Sequence, residues 1–364
     1  MIIQDIINEI ERFAPLAYQE SYDNCGLIVG QKTQRFASAL LALDCTEDVI
    51  NEAIENNCNL IITHHPVIFT GLKKINGDNS TERIIIKAIQ NNIAIYAAHT
   101  NIDNVKLGVN NKLANKLGLN NLQILAPKSN FLKKIVTFVP KSHYQEVLQA
   151  LFNAGAGCIG NYDSCSFSCE GSGTFKGNSS TQPFVGNSGE LTVEEELRIE
   201  TIFEFNKEKE IISALLNSHP YEEVAYDVFS LSNKHQQIGS GLIGQLENEM
   251  SELEFLTHVK EKLSSRCLRH TQKAGKMIKR VAICGGSGRF LLDQAINSGA
   301  DAFITSDFKY HDFFDVENKL LLIDAGHFET EQFTPEIFYE IIQNKFPTFA
   351  IRLSKTNTNP INYF

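Results

Sequence analysis

Residues 60–66 read Leu60-Ile61-Ile62-Thr63-His64-His65-Pro66. The first four are uncharged and rich in β-branched side chains, too few for a helix and without the polar alternation of a half-exposed strand. They read as a strand buried on both faces, the kind found in parallel sheets covered by helices. His64 and His65 follow directly. Adjacent rings leaving such a strand cannot both turn into the same core, so the pair favours a site over packing.

The flanking segments repeat the pattern. Residues 37–43 and 93–98 are further apolar strands. Helical periodicity covers 2–12, with Ile3, Ile6, Ile7 and Ile10 on one face, and also 47–56, 81–91 and 107–117. The alternation predicts a parallel sheet packed between helices. It returns late in the chain, with strands at 280–284, 302–305 and 320–324 and helices at 290–298 and 333–344. The middle differs. A strand at 134–139, a helix at 143–154, a Gly/Ser-rich stretch at 155–189, a strand at 197–205, a helix at 208–218 and a strand at 224–229 follow the β-α-β-β-α-β order of ferredoxin-like folds. The expected fold class is α/β: two doubly wound halves forming one metal-binding domain, residues 1–130 and 236–364, interrupted by a ferredoxin-like α+β insert, residues 131–235. The hinges fall near 127–130 and 232–239.

The 364 residues carry a formal net charge of -10, with hydrophobic residues at 43%. Two or three domains fit that length. The acidic balance, and the lack of any basic run beyond Lys133-Lys134, disfavour nucleic acid as a partner. No apolar run is long enough to span a bilayer, and the start of the chain lacks the cationic and apolar regions of a signal peptide. A cytoplasmic protein without membrane contact is expected. The cysteines, at 25, 45, 58, 158, 165, 169, 267 and 284, form no CxxC pair and read as reduced, mostly buried thiols rather than metal ligands.

Open parallel sheets bind ligands at the carboxyl ends of their strands. His64 and His65 follow one predicted strand; His99 and Asp103 follow a second; Ser306, Asp307 and His311 a third; His327 and Glu331 a fourth. Taken singly, each has a plain structural reading. Asp103 suits a helix cap, and the i,i+4 pair His327 and Glu331 suits a helical hydrogen bond. Together at one sheet edge, His64, His65, Asp103, His327 and Glu331 favour a metal site. Three imidazoles and two carboxylates suit zinc, iron or manganese better than magnesium or calcium. Five ligands are too many for one catalytic zinc; a bridging carboxylate would give two ions three protein ligands each, leaving positions for water. His99 and His311 are candidates for moving protons. Gly285-Gly286-Ser287-Gly288 after a strand could cradle a phosphate, though it is no complete nucleotide fingerprint. His219 and Tyr221-Glu222-Glu223 in the insert read as structural or lid residues.

Several segments carry a family resemblance: Asp23-Asn24-Cys25-Gly26-Leu27, Thr63-His64-His65-Pro66, Ala98-His99-Thr100-Asn101-Ile102-Asp103, Lys309-Tyr310-His311, Asp324-Ala325-Gly326-His327-Phe328-Glu329-Thr330-Glu331 and, in the insert, His219-Pro220-Tyr221-Glu222-Glu223-Val224-Ala225-Tyr226-Asp227. In this order they resemble the Ngg-interacting-factor-like family, also labelled GTP cyclohydrolase I type 2 homologues, in its long bacterial form. The resemblance implies a dinuclear metal site on His64, His65, Asp103, His327 and Glu331, with Glu331 shared. It also implies a CutA-like insert and a toroidal homohexamer whose sites face an internal cavity. Thr305-Ser306-Asp307 departs from a glycine-containing family pattern. The implied activity is that of a metal-dependent hydrolase in which activated water attacks a small molecule, such as a nucleotide. The alternative is a non-catalytic metal-binding regulatory or scaffold hexamer.

Overall fold

The Leu60–Thr63 strand lies in the middle of a five-stranded sheet ordered Gly26–Val29, Ala94–Ala97, Leu60–Thr63, Ala39–Ala42, Ile351–Leu353. This is a computed structural model, and it describes residues 1–272 and 275–364. All twelve residues of the three central strands are buried. Leu41, Ile62 and Tyr96 pack on one side with Ile3, Ile6, Ile10 and Phe338. Leu40, Ile61 and Ile95 pack on the other with Val49, Ile50, Ile84 and Ile85. Each such side chain removed from water contributes roughly 1.5–3 kcal/mol, which outweighs the modest propensity of any four-residue strand. The central strands are parallel and in step, with Ala42 opposite Thr63 and Thr63 opposite Ala97. Gly26–Val29 is antiparallel, with Gly26 opposite Ala97, so its beginning lies where its neighbours end.

The second sheet runs Arg269–His270, Leu321–Asp324, Ala302–Ser306, Met277–Ser287, Gly239–Ser251, Leu119–Pro127. Its three inner strands from 277 to 324 are parallel, and its flanking strands antiparallel. The two long strands at 119–127 and 239–251 were not expected from the sequence. Leu119-Asn120-Asn121-Leu122-Gln123 and Gly239-Ser240-Gly241 have turn-like composition, yet they pair with one another from Leu119 to Gly239. The expected helix at 290–298 is a 3-10 turn, Arg289–Leu291, running into a short helix, Leu292–Asn297. The second half also returns to the first sheet. Helix Thr334–Lys345 buries Ile337, Phe338 and Ile342 in the first core, and Ile351–Leu353 adds a parallel edge strand beside Ala39–Ala42.

These two sheets make up one compact unit, 1–127 with 237–364; residues 128–236 form another. The latter is a four-stranded antiparallel sheet ordered Ser166–Phe175, Thr192–Glu204, Leu132–Pro140, Tyr226–Leu231, with helices Tyr144–Asn153 and Glu208–Ser218. Numbered along the unit, the strands lie 2-3-1-4, the ferredoxin-like arrangement. Ile135, Val139, Ile199 and Phe203 meet Val147, Leu151, Ile211 and Leu215 in its core. Part of the Gly/Ser-rich stretch is the strand Ser166–Phe175. Among the described residues no helix is long and apolar enough to cross a membrane. The eight cysteines are free thiols, but Cys158, Cys169 and Cys267 are exposed, so the expectation of mostly buried thiols fails in the insert and on one loop.

Candidate metal centre

In-step parallel strands deliver their following residues to one edge. The backbone N–H groups of His64 and His65 both donate to Leu43 O, at 3.1 Å each, which turns the chain sharply and sends the two rings to one side. His64 is fully buried, and its Nδ1 donates to Ala98 O at 2.9 Å. His65 Nδ1 lies 2.7 Å from Asp44 Oδ1, and His327 Nδ1 lies 2.6 Å from Asp307 Oδ2. An oxygen acceptor on each Nδ1 fixes the tautomer that leaves Nε2 basic, the usual outer support of a metal-bound imidazole.

The Nε2 atoms converge on Glu331. Its Oε2 is 3.1 Å from His65 Nε2 and 3.0 Å from His327 Nε2, while its Oε1 is 3.7 Å from His64 Nε2. Asp103 Oδ1 is 3.6 Å from His64 Nε2. Two nitrogen atoms, His65 Nε2 and His327 Nε2, face each other at 3.3 Å. His64 Nε2 and Asp103 Oδ1 are buried with no hydrogen-bond partner among the described residues. Lone pairs gathered in this way, some orphaned, are costly to bury alone and are satisfied by cations. The donors fall into overlapping groups, His65 with His327 and Glu331, and His64 with Asp103 and Glu331, each with ligand atoms within 4.8 Å of one another. The residues present therefore fit metal binding.

The charges are strongly coupled. Burial opposes protonation of His65, but its bonds to Asp44 and Glu331 prevail and push its pKa up to about 10. Burial likewise opposes protonation of His327, and Asp307 with Glu331 raises it to about 11. Burial and the charge of Glu331 push Asp103 up to about 8. Glu331 is held well below the usual carboxylate range; its burial is outweighed by His64, His327 and His65. Without a cation, the ionised Glu331 thus faces protonated His65 and His327, and Asp103 is pushed toward its protonated form.

His99 joins the cluster from the side, with a ring nitrogen within 4.8 Å of donors on His64 and His65. Its Nδ1 lies 2.9 Å from Asp23 Oδ1. Asp23 also accepts from Thr100 N at 2.9 Å, from the Thr100 hydroxyl and from Cys25 Sγ. These bonds, against the cost of burial, hold its carboxyl far below the usual range. Asp307 sits in the left-handed region, with φ +62°, a conformation a glycine adopts freely. The Asp307 carboxylate that orients His327 is thus held on a backbone conformation that side-chain-bearing residues seldom adopt.

The glycine run lies against the cluster. A Cβ on Gly286 would stand 2.2 Å from Glu331 Oε1. Gly286 N donates to Thr330 Oγ1 at 3.0 Å and Gly285 N to Asn110 Oδ1 at 2.9 Å. The run lets the strand backbone lie against the Glu331 carboxylate.

A family model described as Duf34/NIF3 (NGG1p interacting factor 3) matches residues 1–360. The chain belongs to the Duf34/NIF3 family. Among curated relatives, a Bacillus subtilis protein named "GTP cyclohydrolase 1 type 2 homolog" is 41% identical over 99% of this chain and 98% of its own length. A protein of the same name from Halalkalibacterium halodurans is 39% identical over the same shares. A solved Bacillus cereus structure described as related to NIF3 is 40% identical, with TM-score 0.87, covering 100% of this chain and 99% of its own.

In this Duf34/NIF3 protein, then, His64, His65, Asp103, His327 and Glu331 lie together and His99 beside them. His311 does not join them: it is exposed on the 3-10 segment Tyr310–Val316, with Tyr310 and Phe314 as ring neighbours. Sequence reasoning passed over Asp44 and the role of Asp23. Asp44 follows the apolar run 37–43 and was available to the strand-end rule. Asp23 was not, because it precedes an antiparallel strand.

Proposed function

We propose that His64, His65, Asp103, His327 and Glu331 hold two divalent ions, of zinc, iron or manganese, and that the protein is a metal-dependent hydrolase. The observation that carries this reading is the divided Glu331 carboxylate: Oε1 faces His64, while Oε2 faces His65 and His327. One shared carboxylate gives each ion three protein ligands. Bound ions would supply Lewis acidity and lower the pKa of a water at the cluster.

The remaining groups belong to the chain. Asp23 holds the His99 proton on Nδ1, so His99 Nε2 is the atom able to accept a proton from attacking water and return it to a leaving group. Asp44 and Asp307 orient His65 and His327. A nucleotide is the substrate class suggested by the relatives' name, and a homohexamer is the assembly the family resemblance implies.

Metal content per chain, on protein purified without added metal, tests the site first. The wild type should carry about two ions and Glu331→Ala far fewer, since one ligand serves both. One ion or none, unchanged by the substitution, would overturn the shared site. The hydrolase reading is tested separately by turnover of GTP and other nucleotides: His65→Ala and His99→Ala should abolish it, and unchanged turnover in both would reject the assignment.

A further inference from the structure

The insert has its own cavity, of about 540 Å³, within the range of about 300–1,000 Å³ typical of small-molecule sites. Its floor is the face of the four-stranded sheet that the helices leave open. The connection after Ser166–Phe175 and the segment 221–225 form its walls. Phe138, Phe175, Phe184 and Tyr221 supply aromatic lining. The rings of Phe175 and Phe184 lie 6.0 and 6.1 Å from that of Tyr221. The walls are joined, since Gln182 N donates to Glu222 Oε1 at 3.0 Å.

At the floor sits Glu196, only 7% exposed. Its Oε1 accepts from Tyr221 Oη at 2.8 Å. Its Oε2 lies over Gly173, where a Cβ would come within 2.1 Å of it. Among the described residues no Lys or Arg pairs with Glu196; Arg198, also in the lining, is committed to Glu200 at 2.7 Å. The loop is set by His219, which uses both ring nitrogens: Nε2 donates to Phe138 O at 2.9 Å, and Nδ1 accepts from Tyr221 N at 3.1 Å. His219 is therefore neutral, and Glu196 is left as a buried carboxylate among aromatic rings. Such a carboxylate is stabilised by a cation, and π-faces attract the same charge.

We propose that this cavity binds a small organic cation, an amine or amidine on an apolar or aromatic body, with its charged head on Glu196 Oε2 and its body among Phe138, Phe175, Phe184 and Tyr221. The site is separate from the metal cluster and does not depend on its activity.

Titration calorimetry on the full-length protein tests this with benzylammonium and benzamidinium as probes, against benzyl alcohol and benzoate of similar shape. The cations should bind; the alcohol and the carboxylate should bind at least about tenfold more weakly. Glu196→Gln should reduce cation binding by about tenfold or more while leaving the metal content unchanged. If that variant misfolds, Phe184→Ala, at a half-exposed ring, should weaken the cations and spare the fold. No binding of either cation to folded protein, equal binding of benzyl alcohol, or full affinity in both variants would overturn the proposal.

Discussion

Each imidazole of the cluster is held at Nδ1 by a different acceptor: the Ala98 carbonyl, Asp44, Asp307 and, for His99, Asp23. These acceptors decide where the basic nitrogen points, so their loss should be felt without touching a ligand. Asp44→Asn should weaken metal binding by about 10–100-fold, read by competition with a chromophoric chelator. Protons give a second readout. In the cation-free cluster His65 and His327 are raised to about 10 and 11, so at neutral pH an incoming ion must displace their protons. Metal uptake should therefore release protons into weak buffer, and apparent affinity should rise with pH up to about 11. The folded-state values of His65, His327 and Asp103 lie above their unfolded ones, so the folded chain binds more protons. The stability of the cation-free protein should then fall as pH rises from about 6.5, where the unfolded histidines lose their protons, to about 11, seen as a decreasing Tm after chelation.

At the scale of elements, the short strand before His64 shows what a single sequence reveals. Leu60–Thr63 and Ala94–Ala97 are buried throughout, so composition alone identifies them, and the residues after them are the ones at the site. Helix Glu208–Ser218 lies where its periodicity places it. Long-range pairing was not legible. Gly239–Ser251 opens on Gly239-Ser240-Gly241 and runs into the polar Glu247-Asn248-Glu249, and it is a strand because Leu119–Pro127 and Met277–Ser287 flank it. Asp23 reaches the site only because Gly26–Val29 runs antiparallel, which no local pattern announces. The glycine run was visible, but its reason was not, because the Glu331 carboxylate that occupies the space lies 45 residues on from Gly286. Gly286→Ala should displace that carboxylate, both by contact and through its φ of +62°, and lower metal content nearly as far as Glu331→Ala. A normal metal content in that variant would show that the close approach is dispensable.

For the whole molecule, the cluster concentrates buried charge in the unit of 1–127 and 237–364, while residues 128–236 have a separate core. Each bound ion should raise the stability of the first unit by about 2.7 kcal/mol at a free-ion concentration a hundredfold above its Kd. A chelator should therefore lower one thermal transition and leave the other, in a calorimetric scan, in place. A single transition shifting as a whole would mean that the two units unfold together. His65 and Glu331, whose side chains meet at 3.1 Å, are separated by 266 positions in the chain. At about 5–20 residues per second, a ribosome releases the histidine pair tens of seconds before it adds the carboxylate. Throughout that interval the nascent chain exposes imidazoles able to capture a stray ion on incomplete ligands. The late arrival of Glu331 means that the full ligand set forms only once the carboxylate is made, and the ion it would take is whichever the cell supplies at that point.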